Sequence, residues 1–226
     1  MIYITGDTHG YPWRLDLKTP GVGDKVIVTG DFGFVFYGGD KDLSERNDLD
    51  DLAKKPFEIL FVDGNHENFD ELETYPREIR YGAPVRRLRH NIFWLQRGYV
   101  YEIEGNSFFV MGGAYSTDKA LRLHSPIKVW FSQELPTSEE YHRAIDALKQ
   151  RDMKVDYILT HTAPATMIPR LICRYPDPHD RELTGFLDWV YHEAQFKKWY
   201  FGHFHMDVQV NEQMQCCYEA LYPLGS

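Results

Sequence analysis

Eight side chains in this sequence stand where metal-assisted chemistry would need them. Asp7 and His9 lie two apart in Gly6-Asp7-Thr8-His9-Gly10, so an extended loop can turn both toward one ion. Asp31, in Gly30-Asp31-Phe32-Gly33, offers a second carboxylate able to bridge two ions. Asn65 offers a neutral oxygen within Asp63-Gly64-Asn65-His66-Glu67, and His161, His203 and His205 offer imidazoles. Carboxylate oxygen with imidazole nitrogen suits Mn²⁺, Fe, Zn²⁺ or Co²⁺ better than Ca²⁺. The set holds no cysteine, which argues against a purely structural zinc site. Two such cations about 3.5–4 Å apart clamp the attacking and leaving oxygens of an in-line phosphoryl displacement. A hydroxide held between them is a nucleophile at neutral pH. His66 is then the natural proton donor to the leaving oxygen, because imidazole titrates near neutrality.

Strands must position these residues. Each cluster follows a short apolar run: Ile2-Tyr3-Ile4-Thr5, Val26-Ile27-Val28-Thr29, Ile59-Leu60-Phe61-Val62, Tyr157-Ile158-Leu159-Thr160 and Trp199-Tyr200-Phe201. Unalternated runs of this kind suit strands buried on both faces. Ligands of open α/β sheets gather just outside the carboxyl ends of the strands, where these clusters fall. Helices are expected over residues 40–54, with Leu43, Leu49 and Leu52 on the apolar side, and over 138–149, capped by Thr137 or Ser138. A third is expected over 183–195, with Leu183, Phe186, Leu187 and Val190 at helical spacing. Strands over 92–95, 99–103 and 107–111, with a turn at Glu104-Gly105-Asn106, predict an antiparallel stretch. A second hairpin is expected to join 208–210 to 216–218.

Composition bounds the reading. A chain of 226 residues with no linker-like segment reads as one domain over 1–226. With 43% hydrophobic and 26% charged residues it can bury a core without disulfides. A net charge of -9 opposes bulk binding to nucleic acid or anionic membrane. It does not oppose a small phosphorylated substrate, because bound cations would invert the local field. Cys173, Cys216 and Cys217 fit no zinc spacing and read as buried or half-buried free thiols in a reducing compartment. The chain opens without a secretory pattern and has no run long enough to span a bilayer, so a cytoplasmic location is expected, with no membrane partner.

The motifs Asp7-Thr8-His9, Gly30-Asp31, Gly64-Asn65-His66-Glu67, Thr160-His161 and Gly202-His203-Phe204-His205 resemble, in order, those of the calcineurin-like metallophosphoesterase family. The resemblance spans residues 5 to 205. It implies an α/β fold of two facing mixed β-sheets flanked by helices, an α/β/β/α sandwich. It also implies that Asp7, His9, Asp31 and His205 hold a first metal and Asp31, Asn65, His161 and His203 a second. Asp31 would bridge the two, and His66 would be the general acid. The cofactors implied are two divalent ions, Mn²⁺ foremost, with Fe, Zn, Co or Ni as alternatives.

One departure stands out. Many members carry an Asp three residues after the Gly-Asp aspartate, where it orients the catalytic histidine. Phe34 stands there in this chain, and the Arg that follows in phosphoprotein phosphatases is missing. That counts against a phosphoserine/threonine protein phosphatase and leaves the partner of His66 unassigned, with Glu67 its neighbour in sequence.

The expected function is hydrolysis of a phosphomonoester or phosphodiester, the partner a small phosphorylated substrate or nucleotide. One alternative is a nuclease or nucleotide phosphodiesterase on the same centre. Arg86-Arg87-Leu88-Arg89-His90, with Tyr81, Trp94 and Tyr99, would then meet single-stranded nucleic acid. The other is a non-catalytic metal-binding scaffold. Residues 32–39 read either as core or as an aromatic loop beside the metals. Arg122, Arg170 and Arg174 are candidates for phosphate contact. His90, His124, His142, His179 and His192 read as surface or satisfied core residues unrelated to metal.

Overall fold

β-Branched and aromatic residues pack well on a pleated surface buried on both sides, and the apolar runs form strands accordingly. The computed structural model describes residues 1–225; Ser226, at the end of the expected domain, lies outside the described residues. The first sheet takes β1 (Ile2–Thr5), β2 (Lys25–Thr29), β3 (Glu58–Val62), β4 (Arg77–Arg80), β5 (Ala83–Arg89) and β6 (Ile92–Leu95). The second takes β7 (Tyr99–Ile103), β8 (Asn106–Met111), β9 (Tyr157–Thr160), β10 (Lys198–Phe201), β11 (Val208–Asn211) and β12 (Met214–Cys216). β13 (Tyr222–Pro223) returns to the first sheet beside β1.

Strand order in the seven-stranded sheet is β13-β1-β2-β3-β6-β5-β4, with β1, β2, β3 and β6 parallel. Order in the six-stranded sheet is β11-β12-β10-β9-β8-β7, with β12, β10, β9 and β8 parallel. Each sheet thus has a parallel centre and antiparallel edges. The helices are α1 (Leu43–Leu52), α2 (Phe69–Leu72), α3 (Lys119–Arg122), α4 (Ser138–Lys149), α5 (Ile168–Ile172) and α6 (Arg181–Glu193).

Residue alternation explains the layers. Ile4, Ile27, Leu60 and Phe93 of the first sheet meet Tyr101, Phe108, Val110, Leu159 and Tyr200 of the second in one buried cluster. The opposite face of the first sheet, including Val26, Val28, Ile59 and Phe61, packs on Leu49 and Leu52 of α1 and Leu72 of α2. The opposite face of the second, including Phe109, Ile158 and Trp199, packs on Leu148 of α4 and Leu183, Leu187 and Val190 of α6. This is the expected α/β/β/α sandwich. Burying each such side chain contributes about 1.5–3 kcal/mol.

Local signals acted largely as expected. The Thr137 side chain accepts from Glu140 N while Glu140 returns to Thr137 N, a capping box that starts α4. Three expectations need correction. The first helix starts later, because Asp42 accepts from Ser44 N and Glu45 N as its cap, and Leu43 is left 63% exposed rather than on the apolar side. The C-terminal hairpin joins Val208–Asn211 to Met214–Cys216, and Cys217 instead follows Phe201 through a backbone hydrogen bond. Cys216 and Cys217 are buried, but Cys173, in left-handed backbone after α5, is exposed. Among the described residues no helix is long and apolar enough to cross a membrane.

The two sheets are pinned at the end that carries the polar clusters. Asp63, fully buried after β3, accepts from Trp94 Nε1 at 2.9 Å and Arg97 Nε at 2.7 Å, and its carbonyl accepts from Gly113 N after β8. Removing one partner of a buried pair leaves a desolvated charge. Arg97→Ala is therefore expected to lower unfolding stability by about 3–5 kcal/mol, read by chemical denaturation. A loss below about 1 kcal/mol would show that the pair does not clamp the sheets.

Candidate metal centre

The expected site residues all leave the carboxyl ends of parallel strands. Asp7 and His9 follow β1, Asp31 follows β2, and Asn65 and His66 follow β3. His161 follows β9, and His203 and His205 follow β10. Asp7, His9, Asp31, His203 and His205 take left-handed backbone, with φ between +44° and +69°. Such conformations cost non-glycine residues of order 1–3 kcal/mol each and persist only when their surroundings dictate them. Here hydrogen bonds do so. His9 N donates to Asp31 O at 2.8 Å, His203 N to the Asp7 carboxylate at 2.9 Å, and His66 N to Asp31 Oδ1 at 2.8 Å. Two motif glycines make room. A Cβ on Gly64 would sit 2.1 Å from Asp31 Oδ1, and one on Gly30 would sit 1.9 Å from His161 Nδ1.

Donor atoms of Asp7, His9, Asp31 and His205 lie within 4.8 Å of one another, close enough to share one cation. A second group adjoins them. His161 Nε2 is 3.3 Å from Asp31 Oδ1 and 3.1 Å from Asn65 Oδ1. His203 meets this group through its ring, centred 5.0 Å from that of His161. All eight expected residues thus border one site, while His90, His124, His142, His179 and His192 are all exposed, as expected.

Supporting residues fix which atoms face inward. His161 Nδ1–H donates to Thr29 O at 3.0 Å, so Nε2 faces Asp31 and Asn65. Asn65 Nδ2 donates to Ser116 Oγ at 3.1 Å, and Ser116 Oγ–H donates to the buried Glu134, so Asn65 turns its oxygen inward. Glu67 does not reach His66. Its carboxylate accepts from Phe32 N at 2.7 Å and bears on the Asp31 loop. Phe34 is buried in core, whereas Phe36 stacks on His66 with ring centres 5.9 Å apart. Arg122 Nη2 lies 2.9 Å from His66 Nδ1 and also against Nε2. Arg170 and Arg174 are exposed.

The electrostatics fit a cation. Burial raises the Asp7 carboxyl to about 8, against the pull of His161. Burial also pushes Asp31 upward, but the charge of His161 outweighs it and holds Asp31 well below the usual carboxylate range. Burial lowers His9 to about 4 and His203 to about 3. His161 goes up to about 10, because Asp31 overcomes its burial. The site therefore keeps protons on Asp7 and His161, where positive charge is wanted. His9 Nε2 and His205 Nε2 face each other at 2.8 Å. Buried carboxylates, neutral imidazoles and an amide oxygen aimed at one space form a donor set that suits divalent ions.

Beside this centre lies a cavity of about 560 Å³, bordered by His9, His66 and His205 and walled by Tyr11, Phe36, Tyr37 and Tyr218. Asp42, Glu45 and Asp48 also line it, and none of the described lining residues is Lys or Arg. The basic stretch is engaged elsewhere. Arg87 pairs with Glu78, Arg89 with Asp40 and Asp50, and Arg86 donates to Tyr75 O.

A family model described as calcineurin-like phosphoesterase matches residues 1–207. No curated protein matches the chain. Among solved structures, phosphopantetheinyl hydrolase from Mycobacterium tuberculosis aligns at 16% identity and a TM-score of 0.48, covering 96% of this chain and 89% of that one.

The trapped protons have a thermodynamic consequence. Asp7, raised from 3.8 to about 8, keeps a proton when folded that the unfolded chain has lost, so stability falls as pH rises through that interval. His161, raised from 6.5 to about 10, acts in the same direction. His9 and His203, both lowered, act oppositely but only below 6.5. Metal-stripped protein is expected to lose Tm between pH 6.5 and 8. Added Mn²⁺ displaces those protons, so it should raise Tm more at pH 8 than at pH 6.5. Scanning calorimetry with and without the ion checks both. A Tm that climbs over this range without metal would contradict the assignment.

Proposed function

The chain belongs to the calcineurin-like phosphoesterase family, and from that premise we propose that it hydrolyses a small phosphate ester at a centre of two divalent cations. One observation carries the reading: two buried carboxylates, four imidazoles and one amide oxygen converge from the ends of five parallel strands. Asp7, His9, Asp31 and His205 would hold one ion, and Asp31, Asn65, His161 and His203 the other. When bound, such ions neutralise phosphate charge and make water acidic enough to serve as nucleophile near neutral pH.

The chain's own residues supply the rest. Asp31 faces both groups of donors, and its Oδ1 is fixed by His66 N, so it sets the spacing between them. His66, bordering both the centre and the cavity, gives the leaving oxygen a hydrogen bond through a ring N–H as negative charge develops there. Tyr11, Phe36, Tyr37 and Tyr218 receive the leaving group and shield the reacting atoms from bulk water.

The same cavity bears on substrate class. Its rings can stack a nucleobase or another flat leaving group, which favours a nucleotide diester as a second reading. Its carboxylates, and the pairing of Arg87 and Arg89 with acids, disfavour a long polyanion such as a polynucleotide. Mn²⁺ is the ion to try first, since it suits oxygen and imidazole donors alike.

Chelator-stripped protein with Mn²⁺ restored should hydrolyse an aryl phosphomonoester or the matching bis-aryl diester, and Asp31→Asn should abolish the activity. The ratio of the two rates separates monoesterase from diesterase. Absent turnover with metal bound would return the scaffold reading. His66→Ala should retain metal yet slow esters with poor leaving groups on the order of 10²–10⁴-fold, and good ones far less. Equal losses on both would remove His66 from its place at the leaving oxygen.

A further inference from the structure

The position that the family resemblance reserves for a carboxylate partner of His66 is Phe34, and Phe34 packs in the core with Phe32 and Phe61. Its ring lies 4.8 Å from that of Phe32. Another group occupies the flank of His66. Arg122, the last residue of α3, is only 7% exposed, and its guanidinium is committed on three sides. Nε donates to the Asp118 carboxylate at 2.9 Å. Nη1 donates to the carbonyl of Asn65 at 2.9 Å. Nη2 meets the nitrogen edge of the His66 ring, 2.9 Å from Nδ1 and against Nε2. Phe36 stacks on the ring and Arg122 Cζ lies 5.9 Å from the Phe36 ring centre, so the arginine, the imidazole and the phenyl group form one packed unit.

We propose that Arg122, anchored by Asp118, is the positioning residue for His66 and takes the place of the missing carboxylate. The proposal rests on the reading of His66 as donor to the leaving oxygen. The two kinds of partner act differently. A carboxylate accepts the ring's N–H, whereas a guanidinium has no acceptor and can only donate into the lone pair of one ring nitrogen. Arg122 therefore favours a neutral ring with a lone pair turned to Nη2, and its bond to Asn65 O holds that ring in place beside the centre. A neutral imidazole held in this way can still polarise an oxygen through its N–H. The anchoring is over-determined: the Nη1 bond to Asn65 O ties Arg122 to the same turn that carries His66. The ring and its brace thus move together with the metal-facing amide.

The test has a structural arm and a kinetic arm. For the first, ¹⁵N-histidine-labelled full-length protein loaded with diamagnetic Zn²⁺ is observed at pH 8, with His66 identified from the His66→Ala spectrum. Wild type should show a single neutral tautomer for His66, and Arg122→Ala a mixture of two. Unchanged His66 shifts in Arg122→Ala would overturn the proposal even if no ester is turned over, so this arm stands apart from the functional reading. For the second, kcat for a poor leaving group should fall roughly 10-fold or more in Arg122→Ala with KM little changed, as expected when a catalytic group loses its alignment. The loss should vanish in the His66→Ala background, and guanidinium ion should restore part of it only where His66 is present. Asp118→Asn removes the anchor from a more exposed position, so it provides the check if Arg122→Ala folds poorly. It should reproduce a smaller loss with the same dependence on His66. Additive losses in the double variant, or a rise in KM alone, would instead make Arg122 a contact for substrate phosphate and overturn the proposal.

Discussion

Two carboxylates buried within reach of each other dominate this structure. Asp7 is fully buried and Asp31 is 2% exposed. A pair of negative charges in such a place is costly unless cations or protons answer it. Among the described residues no Lys or Arg forms an ion pair with either carboxylate. The answer comes from His161, which sits between them and is held toward the charged form by Asp31. Neighbouring imidazoles are pushed the other way, toward neutrality, by burial. The result is a space that holds protons where it would accept metal ions, and whose remaining donors are already deprotonated. Metal binding and proton release are thereby one equilibrium.

That constraint explains the choice of fold edge. A carboxylate can be buried only where many backbone and side-chain groups converge on it. Parallel strands in both sheets bring their carboxyl ends to the same border, so loops from β1, β2, β3, β9 and β10 meet there. Antiparallel hairpins would alternate the two ends of successive strands and divide the clusters. The left-handed backbone at five of the site residues is the local consequence, since each loop must turn sharply to aim its side chain back across the strand end. The Asp63–Arg97 pair and the Gly113 backbone bond close the sandwich at that border and keep the loops from parting.

Much of this was legible in the sequence because ligand chemistry and strand ends coincide there. An Asp, Asn or His after a two-faced apolar run is visible without a structure, and the eight candidate residues border one site, whereas Asp63, directly after β3, pairs with Arg97 instead. The caps of α4 were legible for the same local reason. What was not legible acts across long separations. Ser116 and Glu134 orient Asn65 from 51 and 69 positions away, numbers that follow from their places in the chain. Arg122 was visible only as one arginine among several in a loop, and nothing local distinguished it from Arg170 and Arg174. Glu67 adjoins His66 in sequence, but its carboxylate turns to Phe32 N on the Asp31 loop, a contact across 35 positions that adjacency does not reveal. The basic run at 86–90 read foremost as a solvated strand face, and strand pairing sets its charges against acids from β4, α1 and the loop before α1 rather than leaving them to a polyanion.

The residues that sequence could not locate share one property: they bind the site's loops to one another rather than to any ligand. Glu67 ties the Asp31 turn to the Asn65 turn, and Ser116 with Glu134 ties the Asn65 amide to the loop after β8. Arg122 ties α3 to both Asn65 and His66. Each of these bonds bridges two strand-end loops that would otherwise be free to relax from strained backbone. A site with strained donors and buried charges needs such bridges in proportion to its strain, because an unpartnered buried group costs about as much as the hydrogen bond that satisfies it contributes. The ligand motif can therefore stay constant in type and order while the bridging residues vary, provided that each loop remains tied to its neighbour. Phe34 fits this account. Once Arg122 approaches His66 from α3, the third position after Asp31 no longer needs a carboxylate, and an aromatic ring there adds to the core beneath the loop instead.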